Sequence, residues 1–483
     1  MQSKRDQVQA HVFLMGRLTS GMLLADPDAP DSPLGRTTRG TVFGVIIGVV
    51  VAAGAFVFGL INPGGHELSP NTLIINKDTG ARYLYVDGRL RPVRNYASAL
   101  LLGGDGLKSD AVHTSSLRGK PLGSPVGIPG APDSVPGKDD LETGAWQVCS
   151  VVNESYSTAL IAGAPADGDR LGADEGLVVV GPDMNTTYLV WQGQRLRLDE
   201  DEETAASLGY GSVTPRPVSA AFLQALVPGP DLTPPDVPGR GDDGPDLGSH
   251  ASKVGQVFQV QVPGSAPKYY LLKREGLVPL TVTQAALVLG DPATREEAYE
   301  GVSPEPVELG AVALKDHQAA GDGGRDMATG LPKAPPRAVD VPDGQSACAR
   351  VQPGSGAPRV TSEVVPVASL TPVAKADPTL VDGSCIQVDR LIVRPGRGVL
   401  VQALSAGGKA VGDTTYFVSD NGVKYRVRSG QALQALGYAD AKAQPLPSPL
   451  LSMLPSGPDL DVKAAALGEG ATTAGCLRSG DYA

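Results

Sequence analysis

The first apolar positions of the chain recur at helical spacing. Val8, Val12, Met15 and Leu18 fall three and four residues apart, with Leu14 and Met22 beside them. That spacing predicts an amphipathic helix with a single apolar stripe, suited to docking on a neighbouring protein. Asp26-Pro27, Pro30 and Pro33 end it, because proline has no N–H to give to a helix interior. Then comes a run without any charge, Thr41 to Ile61, reading TVFGVIIGVVVAAGAFVFGLI. At ~1.5 Å rise per residue it covers roughly 30 Å, the thickness of a bilayer's hydrocarbon core. A cleaved signal peptide has a shorter apolar stretch, nearer the N-terminus, that closes on an A-x-A-like site. The run therefore predicts an uncleaved membrane helix. Within it Gly44, Gly48 and Ala52 keep small-xxx-small spacing, a candidate packing face between helices.

Beyond the run the period changes to two, and one pattern recurs four times. Each copy has an apolar strand, a turn, a Tyr-rich or aromatic strand, a second turn, a third strand and a short helix ending in Leu-Gly. The copies run Thr72–Val93 closing at Leu102-Gly103, Gly176–Leu198 closing at Leu208-Gly209-Tyr210, Gly255–Leu280 closing at Leu289-Gly290, and Gly398–Val427 closing at Leu436-Gly437-Tyr438. Asp87-Gly88, Gln192-Gly193, Glu275-Gly276 and Asn421-Gly422 supply the positive-φ residues of hairpin turns. The second and fourth copies share a tail, ALVPGPDL at Ala225–Leu232 and MLPSGPDL at Met453–Leu460, which the first and third lack. The pairing predicts a quasi-symmetric arrangement. A module this small buries little alone, so the copies must lean on one another or on a shared core.

Pro/Gly-rich connectors lie between the copies, most clearly Gly119–Lys138, Pro228–Gly248 and Gly321–Gly344. The segments Asp139–Asp169 and Gln345–Arg394 fit no copy and are expected to combine into one central domain. The expected organisation is 1–40 cytoplasmic helix and linker, 41–61 membrane helix, 66–118 first repeat, 119–175 first part of the central domain, 176–250 second repeat, 251–335 third repeat, 336–395 second part of the central domain, 396–462 fourth repeat and 463–483 tail. The fold class is α+β: a single-pass membrane protein whose exported domain holds four small β-rich repeat modules around a central, mostly-β domain.

Charge sets the orientation. Lys4, Arg5, Arg17, Arg36 and Arg39 precede the apolar run, while Asn62 to Asn76 carries neither Lys nor Arg. Cationic flanks stay cytoplasmic, which places the N-terminus inside and the bulk outside. The net charge of −11 argues against nucleic acid, whose phosphates need a basic face. All four cysteines, Cys149, Cys348, Cys385 and Cys476, follow the membrane run, as suits disulfides in an oxidising compartment. Three pairings are open. Combining the two segments of the central domain would join Cys149 to Cys348 and leave Cys385 with Cys476.

The opening SKRDQVQAHVFLMGRLTSGML, the acidic Pro-containing linker and the single membrane helix resemble the EccB family, a core membrane component of type VII (ESX) secretion systems in actinobacteria. WQVCSV around Cys149 and SACARV around Cys348 are similar to that family as well, and the resemblance covers essentially the whole chain. It implies a structural subunit of the inner (plasma) membrane, with an elongated exported part of four repeat domains around a central one. It implies assembly with EccC-type motor ATPases, EccD-type and EccE-type subunits, a mycosin protease, the bilayer and further copies of itself. It also implies a disulfide in the central domain, on Cys149 and Cys348; pairing Cys385 with Cys476 is a separate inference.

Some members of this family are described as ATP hydrolases. A P-loop needs G-x-x-x-x-G-K-[ST], since the hydroxyl must reach magnesium. The Gly-Lys pairs here are followed by Pro121, Asp139 and Ala410 instead. Gly239 to Gly244 formally matches GxGxxG and contains Arg-Gly-Asp, but lies in a connector with no strand before it. The acidic run Asp199–Glu203 reads as a solvated helix start favoured by the helix dipole. His11, His66, His113, His250 and His317 are scattered, without HExxH, and no GxSxG occurs. No catalytic residue, metal or cofactor is expected. The rival readings are a peptidoglycan-binding membrane protein and a membrane-bound ATP hydrolase.

Overall fold

The computed structural model describes residues 3–28, 33–61, 68–152, 156–199, 202–248, 251–320, 329–354, 356–371, 381–405 and 409–470. The chain divides into two compact units, one of Met1–Ala81, Tyr85–Leu90 and Ser109–Pro121, the other of Arg82–Leu84, Arg91–Lys108 and Leu122–Ala483.

The first unit begins with a helix over Lys4–Leu24. Ser3 caps it: its side chain accepts from the Asp6 N–H while its own N–H donates to Asp6 Oδ2 at 3.1 Å. The second helix, Pro33–Ile61, starts well before the uncharged run. Proline fits a first helical turn, and Arg36 and Arg39 extend the helix beyond its apolar stretch.

Each of the four repeats forms a sheet with the same strand order, third-second-first-fourth. In copy one the strands are Arg89–Pro92, Arg82–Val86, Thr72–Asn76 and Lys108–Val112. In copy three they are Gly276–Leu280, Lys268–Lys273, Val257–Val260 and Val307–Glu308, and in copy four Lys424–Val427, Ala410–Val418, Val399–Leu404 and Gln444–Pro447. Copy two orders Arg216–Pro217, Glu175–Val180, Thr187–Trp191 and Gln194–Arg197 in the same way, read from the other edge. In copies two to four the first three strands pair antiparallel, and the fourth runs parallel to the first. The hairpin pattern does not predict this fourth strand. At two residues in Arg216–Pro217 and Val307–Glu308 it is too short to show a period. The turn residues Asp87 and Gln192 do take positive φ, 51° and 47°, each ahead of a glycine at 73° and 76°.

The third strand would be an open edge, and the chain returns to cover it. Val126 N–H donates to Pro92 O at 2.8 Å in copy one, and Ala319 N–H to Leu277 O at 3.1 Å in copy three. The GPDL tails do the same in the other two copies. Leu232 N–H meets Arg197 O at 2.7 Å, and Leu460 N–H meets Arg426 O at 2.8 Å. Copies one and three thus make the same return with unrelated residues.

Helices join the copies in pairs. The helix Glu202–Ser207 of copy two packs on Val282–Leu289 of copy three: Thr204 Oγ1 donates to Gly290 O at 3.2 Å. A Cβ on Gly290 would lie 2.3 Å from Ser207 Oγ, so only glycine allows that approach. Ala97, Leu100 and Leu101 of copy one share a core with Ala432, Leu436 and Tyr438 of copy four. Asn95, Thr281 and Ser429 cap the helices of copies one, three and four with their side chains.

Candidate functional site

A six-stranded central sheet holds the two halves of the second unit together. Its order is Arg390–Ile392, Tyr156–Ile161, Trp146–Val152, Gln345–Gln352, Arg359–Pro366 and Asp169–Arg170. Two hairpins meet at its middle, one preceding copy two and one preceding copy four. Trp146–Val152 and Gln345–Gln352 run antiparallel with Cys149 directly opposite Cys348. The two are joined by a disulfide, with Cα atoms 4.0 Å apart, across a sequence separation of 199 residues. Neither cysteine is exposed to solvent.

The two faces of this sheet differ. Trp146, Val148, Leu160, Ala347 and Ala349 belong to an apolar core that includes Phe222 of copy two and Val399 and Met453 of copy four. Trp146 Nε1 donates to Gln444 Oε1 at 3.2 Å. The disulfide face carries a buried carboxylate, Glu363, opposite Cys348 in the register. Gln147 Nε2 donates to it at 3.1 Å, and the guanidiniums of Arg350 and Arg170 each lie 3.6 Å away. Its charge is thus compensated without leaving the sheet. The signal for this cluster was Gln147, Arg350 and Glu363 inside otherwise apolar strands.

The copies are tied to this centre by one repeated contact. Tyr210 Oη donates to Pro336 O at 2.8 Å, and Tyr438 Oη to Pro136 O at 2.8 Å. Each tyrosine closes a Leu-Gly-Tyr segment, and each proline lies on a connector leading toward a central strand. Burial raises both hydroxyl pKa values above the usual tyrosine range.

The expected docking stripe lies on the surface of its helix: Val8, Val12, Met15 and Leu18 are all exposed, as are Phe13 and Leu14. Arg17 stacks over the Phe13 ring at 5.8 Å and pairs with Asp28. Thr37–Gly59 is the one helix segment, among the described residues, long and apolar enough to cross a membrane, and none of it is buried. Nothing lies within 4 Å of a Cβ built on Gly44 or Gly48, and Ala52 is exposed. Cys385 is disulfide-bonded and exposed; Cys476 lies outside the described residues.

The motifs set aside in the sequence have structural explanations. Arg240 of the Arg-Gly-Asp tripeptide is nearly buried and bonds Asp291 at 2.6 Å, while the exposed Asp242 bonds Arg274 at 2.6 Å, so both charged side chains are engaged within the chain. Glu203 pairs with Arg295. The Thr114 backbone N–H donates to Asp78 Oδ2 at 2.8 Å and His113 Nδ1 lies 2.9 Å from Asp78 Oδ1; the Thr114 bond first, then His113, lower the Asp78 pKa to about 2. Among the described residues no three His, Cys, Asp or Glu side chains gather as a metal site.

One helix long and apolar enough to cross a membrane, followed by small sheets and a disulfide-linked centre, is the architecture of a membrane-anchored protein. The family model described as "Type VII secretion system ESX-1, transport TM domain B" matches residues 1–474. The chain belongs to the EccB family, core subunits of the type VII secretion membrane complex. It is 29% identical over 474 residues to "ESX-3 secretion system ATPase EccB3" of Mycolicibacterium smegmatis, covering 94% of this chain and 89% of the relative. It is 26% identical over 476 residues to "ESX-1 secretion system ATPase EccB1" of Mycobacterium tuberculosis, covering 95% and 94%. Among solved structures it is similar to a chain of an intact ESX-5 inner membrane complex, with 25% identity and a TM-score of 0.64 over 99% of this chain and 97% of that one. A chain of the EccB3 dimer from the ESX-3 core complex matches at 26% identity and a TM-score of 0.62, over 82% and 99%.

Proposed function

We propose that this chain is a single-pass scaffold of the inner membrane, with its N-terminus in the cytoplasm and its repeats and central sheet outside, where they organise the exit side of the secretion machinery. The observation that carries this reading is the charge and cysteine distribution around one apolar helix. Basic residues flank its start, and all cysteines follow it. Disulfides persist only where thiols are not kept reduced.

On this reading Val8, Val12, Met15 and Leu18 dock on cytoplasmic parts of EccC-type, EccD-type or EccE-type subunits. Gly44, Gly48 and Ala52 pack against a neighbouring membrane helix. The exported part self-associates and meets the mycosin protease. Four repeat modules flank the central sheet with the boundaries expected from the sequence, and Cys385 pairs with Cys476. Affinity purification of the native complex through a tag at Ala483, together with reporter fusions at the same end, tests the proposal. Co-purification of the other subunits and an extracytoplasmic reporter are expected; a reporter active only in the cytosol removes it. Deleting residues 2–24 should release the cytoplasmic partners and leave the exported contacts in place.

The relatives' names carry the word ATPase, which favours ATP hydrolysis as a second reading. Turnover by the purified full chain above that of a mock purification would support it.

A further inference from the structure

We propose that one end of copy one, where Arg89, Arg118 and Lys120 gather around Tyr85, docks on the anionic headgroups of the bilayer that holds the chain. The proposal rests on the reading that Thr41–Ile61 spans that bilayer.

Charge singles out copy one. The chain as a whole carries −11, yet Thr72 to Pro121 holds eight lysines and arginines against four carboxylates. Arg89, Arg118 and Lys120 are all exposed, and among the described residues none of the three pairs with a carboxylate. They belong to the first compact unit, whose sheet residues carry Asp78, Asp87 and Asp110. Asp78 is held by His113 and Thr114, and Asp110 has a partner of its own. Asp87 is left against three cations.

Backbone bonds bring these cations to the place where the chain arrives from the membrane helix. Asn71, the residue before the first strand, donates its N–H to Tyr85 O at 2.8 Å. Lys120 Nζ lies 5.9 Å from the centre of the Tyr85 ring. Leu90 N–H donates to Pro121 O at 2.9 Å, which seats the segment of Arg118 and Lys120 beside the strand that Arg89 begins.

The length of the connection keeps this end close to lipid. Ten residues, Asn62 to Asn71, separate Ile61 from Thr72. Fully stretched they reach at most about 35 Å. The Asn71 end is therefore the end of the sheet whose distance from the bilayer the chain limits most tightly. Lys77 follows the same strand at its far end, about 20 Å away, more than two Debye lengths at physiological salt. It is exposed as well, so it serves as an internal reference.

An anionic surface favours each nearby lysine or arginine about fivefold. Three cations less Asp87 leave two, or about 25-fold for the group. Tyr85 is half-buried, and a tyrosine ring suits the headgroup layer, apolar along its body and wet at its hydroxyl. The anchor supplies this surface at every moment, with no partner to capture. Docking turns a connection that only limits distance into a contact that also sets how copy one is oriented on the membrane.

The test uses the full chain in phosphatidylcholine nanodiscs, with and without phosphatidylglycerol. Lysines are acetylated with an N-hydroxysuccinimide ester and read by peptide mass. Phosphatidylglycerol should slow labelling of Lys120 at least about fivefold and leave Lys77 unchanged. At about 1 M salt, where the Debye length is about 3 Å, the Lys120 rate should recover. Arg89→Glu/Arg118→Glu should abolish the difference between the two discs and label like the parent in phosphatidylcholine; Arg89→Lys/Arg118→Lys should keep the difference. Equal Lys120 labelling in both discs, an equal fall at Lys77, or an effect that survives charge reversal overturns the proposal. So does protection by inorganic phosphate in phosphatidylcholine discs, which would make the group a free-anion site. Both faces of a disc carry the same lipid, so the result does not depend on which side the N-terminus occupies. A chain that fails to enter the discs refutes the membrane-spanning reading, and the docking with it.

Discussion

In copy two the third strand sends Arg195 to the Leu223 carbonyl, near the end of the helix that follows the fourth strand. In copy four Lys424 reaches the Leu451 carbonyl at the matching place. The correspondence continues along both hairpins. Leu189 pairs across the sheet with Leu196 where copy four pairs Phe417 with Tyr425. Asp231 of the first GPDL tail is exposed; Asp459 of the second is buried, held by Arg426 at 3.0 Å and Arg428 at 3.3 Å. The difference follows from what each copy must support. Phe417 and Tyr425 belong to the core that copy four shares with copy one, and Phe417 lies 5.8 Å from the Tyr438 ring. Backbone bonding fixes the repeat frame, and side-chain chemistry diverges with the neighbour each copy packs against.

Phe417→Ala should break the comparison most severely. The side chain is fully buried among aromatic rings, and such truncations cost about 3–5 kcal/mol. Amide exchange of the full chain should show copy four opening first, and the copy-one helix Tyr96–Gly103 losing protection with it. Copy two retaining protection would confirm that the joints are independent; loss across the whole chain would show one cooperative unit. Asp459→Asn comes next. Removing the charge that two guanidiniums bond should cost about 1.5–3 kcal/mol, whereas Asp231→Asn, on an exposed carboxylate, should stay within about 0.5 kcal/mol. Equal effects in denaturant titrations would mean that the two tails do the same structural work.

The sequence made some of this visible and hid the rest for physical reasons. Thr41–Ile61 is legible because a bilayer demands an unbroken apolar length. The turns at Asp87-Gly88 and Gln192-Gly193 are legible because few residues tolerate positive φ. The two-residue fourth strands are not, since their bonds come from the backbone and leave no pattern of side chains. The return along the third strand shows only where GPDL recurs; in copies one and three Val126 and Ala319 do the same with no shared letters. The buried Glu363 lies opposite Cys348 because two distant hairpins meet, which period and composition cannot report. Tyr210 and Tyr438 stood out through Leu-Gly-Tyr, but their acceptors, Pro336 and Pro136, are more than a hundred residues away.

Those two tyrosines give a matched pair of smaller tests. Tyr210→Phe and Tyr438→Phe each leave a buried proline carbonyl without its donor and should cost about 1–2 kcal/mol. Because the two bonds have the same length, the costs should agree closely in denaturant midpoints of the full chain. A larger loss at Tyr438 would assign the excess to the joint with copy one.

Lys424 offers the subtlest test, because its counterpart in copy two is a guanidinium, that of Arg195. Burial lowers the Lys424 pKa from 10.5 to about 8. The shift spans at most ~3 kcal/mol, and contact with the Leu451 carbonyl and partial access to water leave about 1 kcal/mol. Below pH 8 the amine is charged in both states, and the folded chain bears the whole penalty. Between about pH 8 and 10.5 the unfolded chain binds the extra proton, so this contribution to stability rises with pH and the penalty disappears above that window. Lys424→Met should therefore be more stable than the parent at pH 7 by about 1 kcal/mol and converge on it by about pH 10.5. Comparing the two proteins at each pH cancels the tyrosines, among them Tyr425, whose hydroxyl burial pushes up to about 12. Arg195→Met should show a gap that does not vary with pH. If the Lys424→Met gap is equally flat, the amine keeps its proton throughout, and the two copies seat their cations in equivalent surroundings after all.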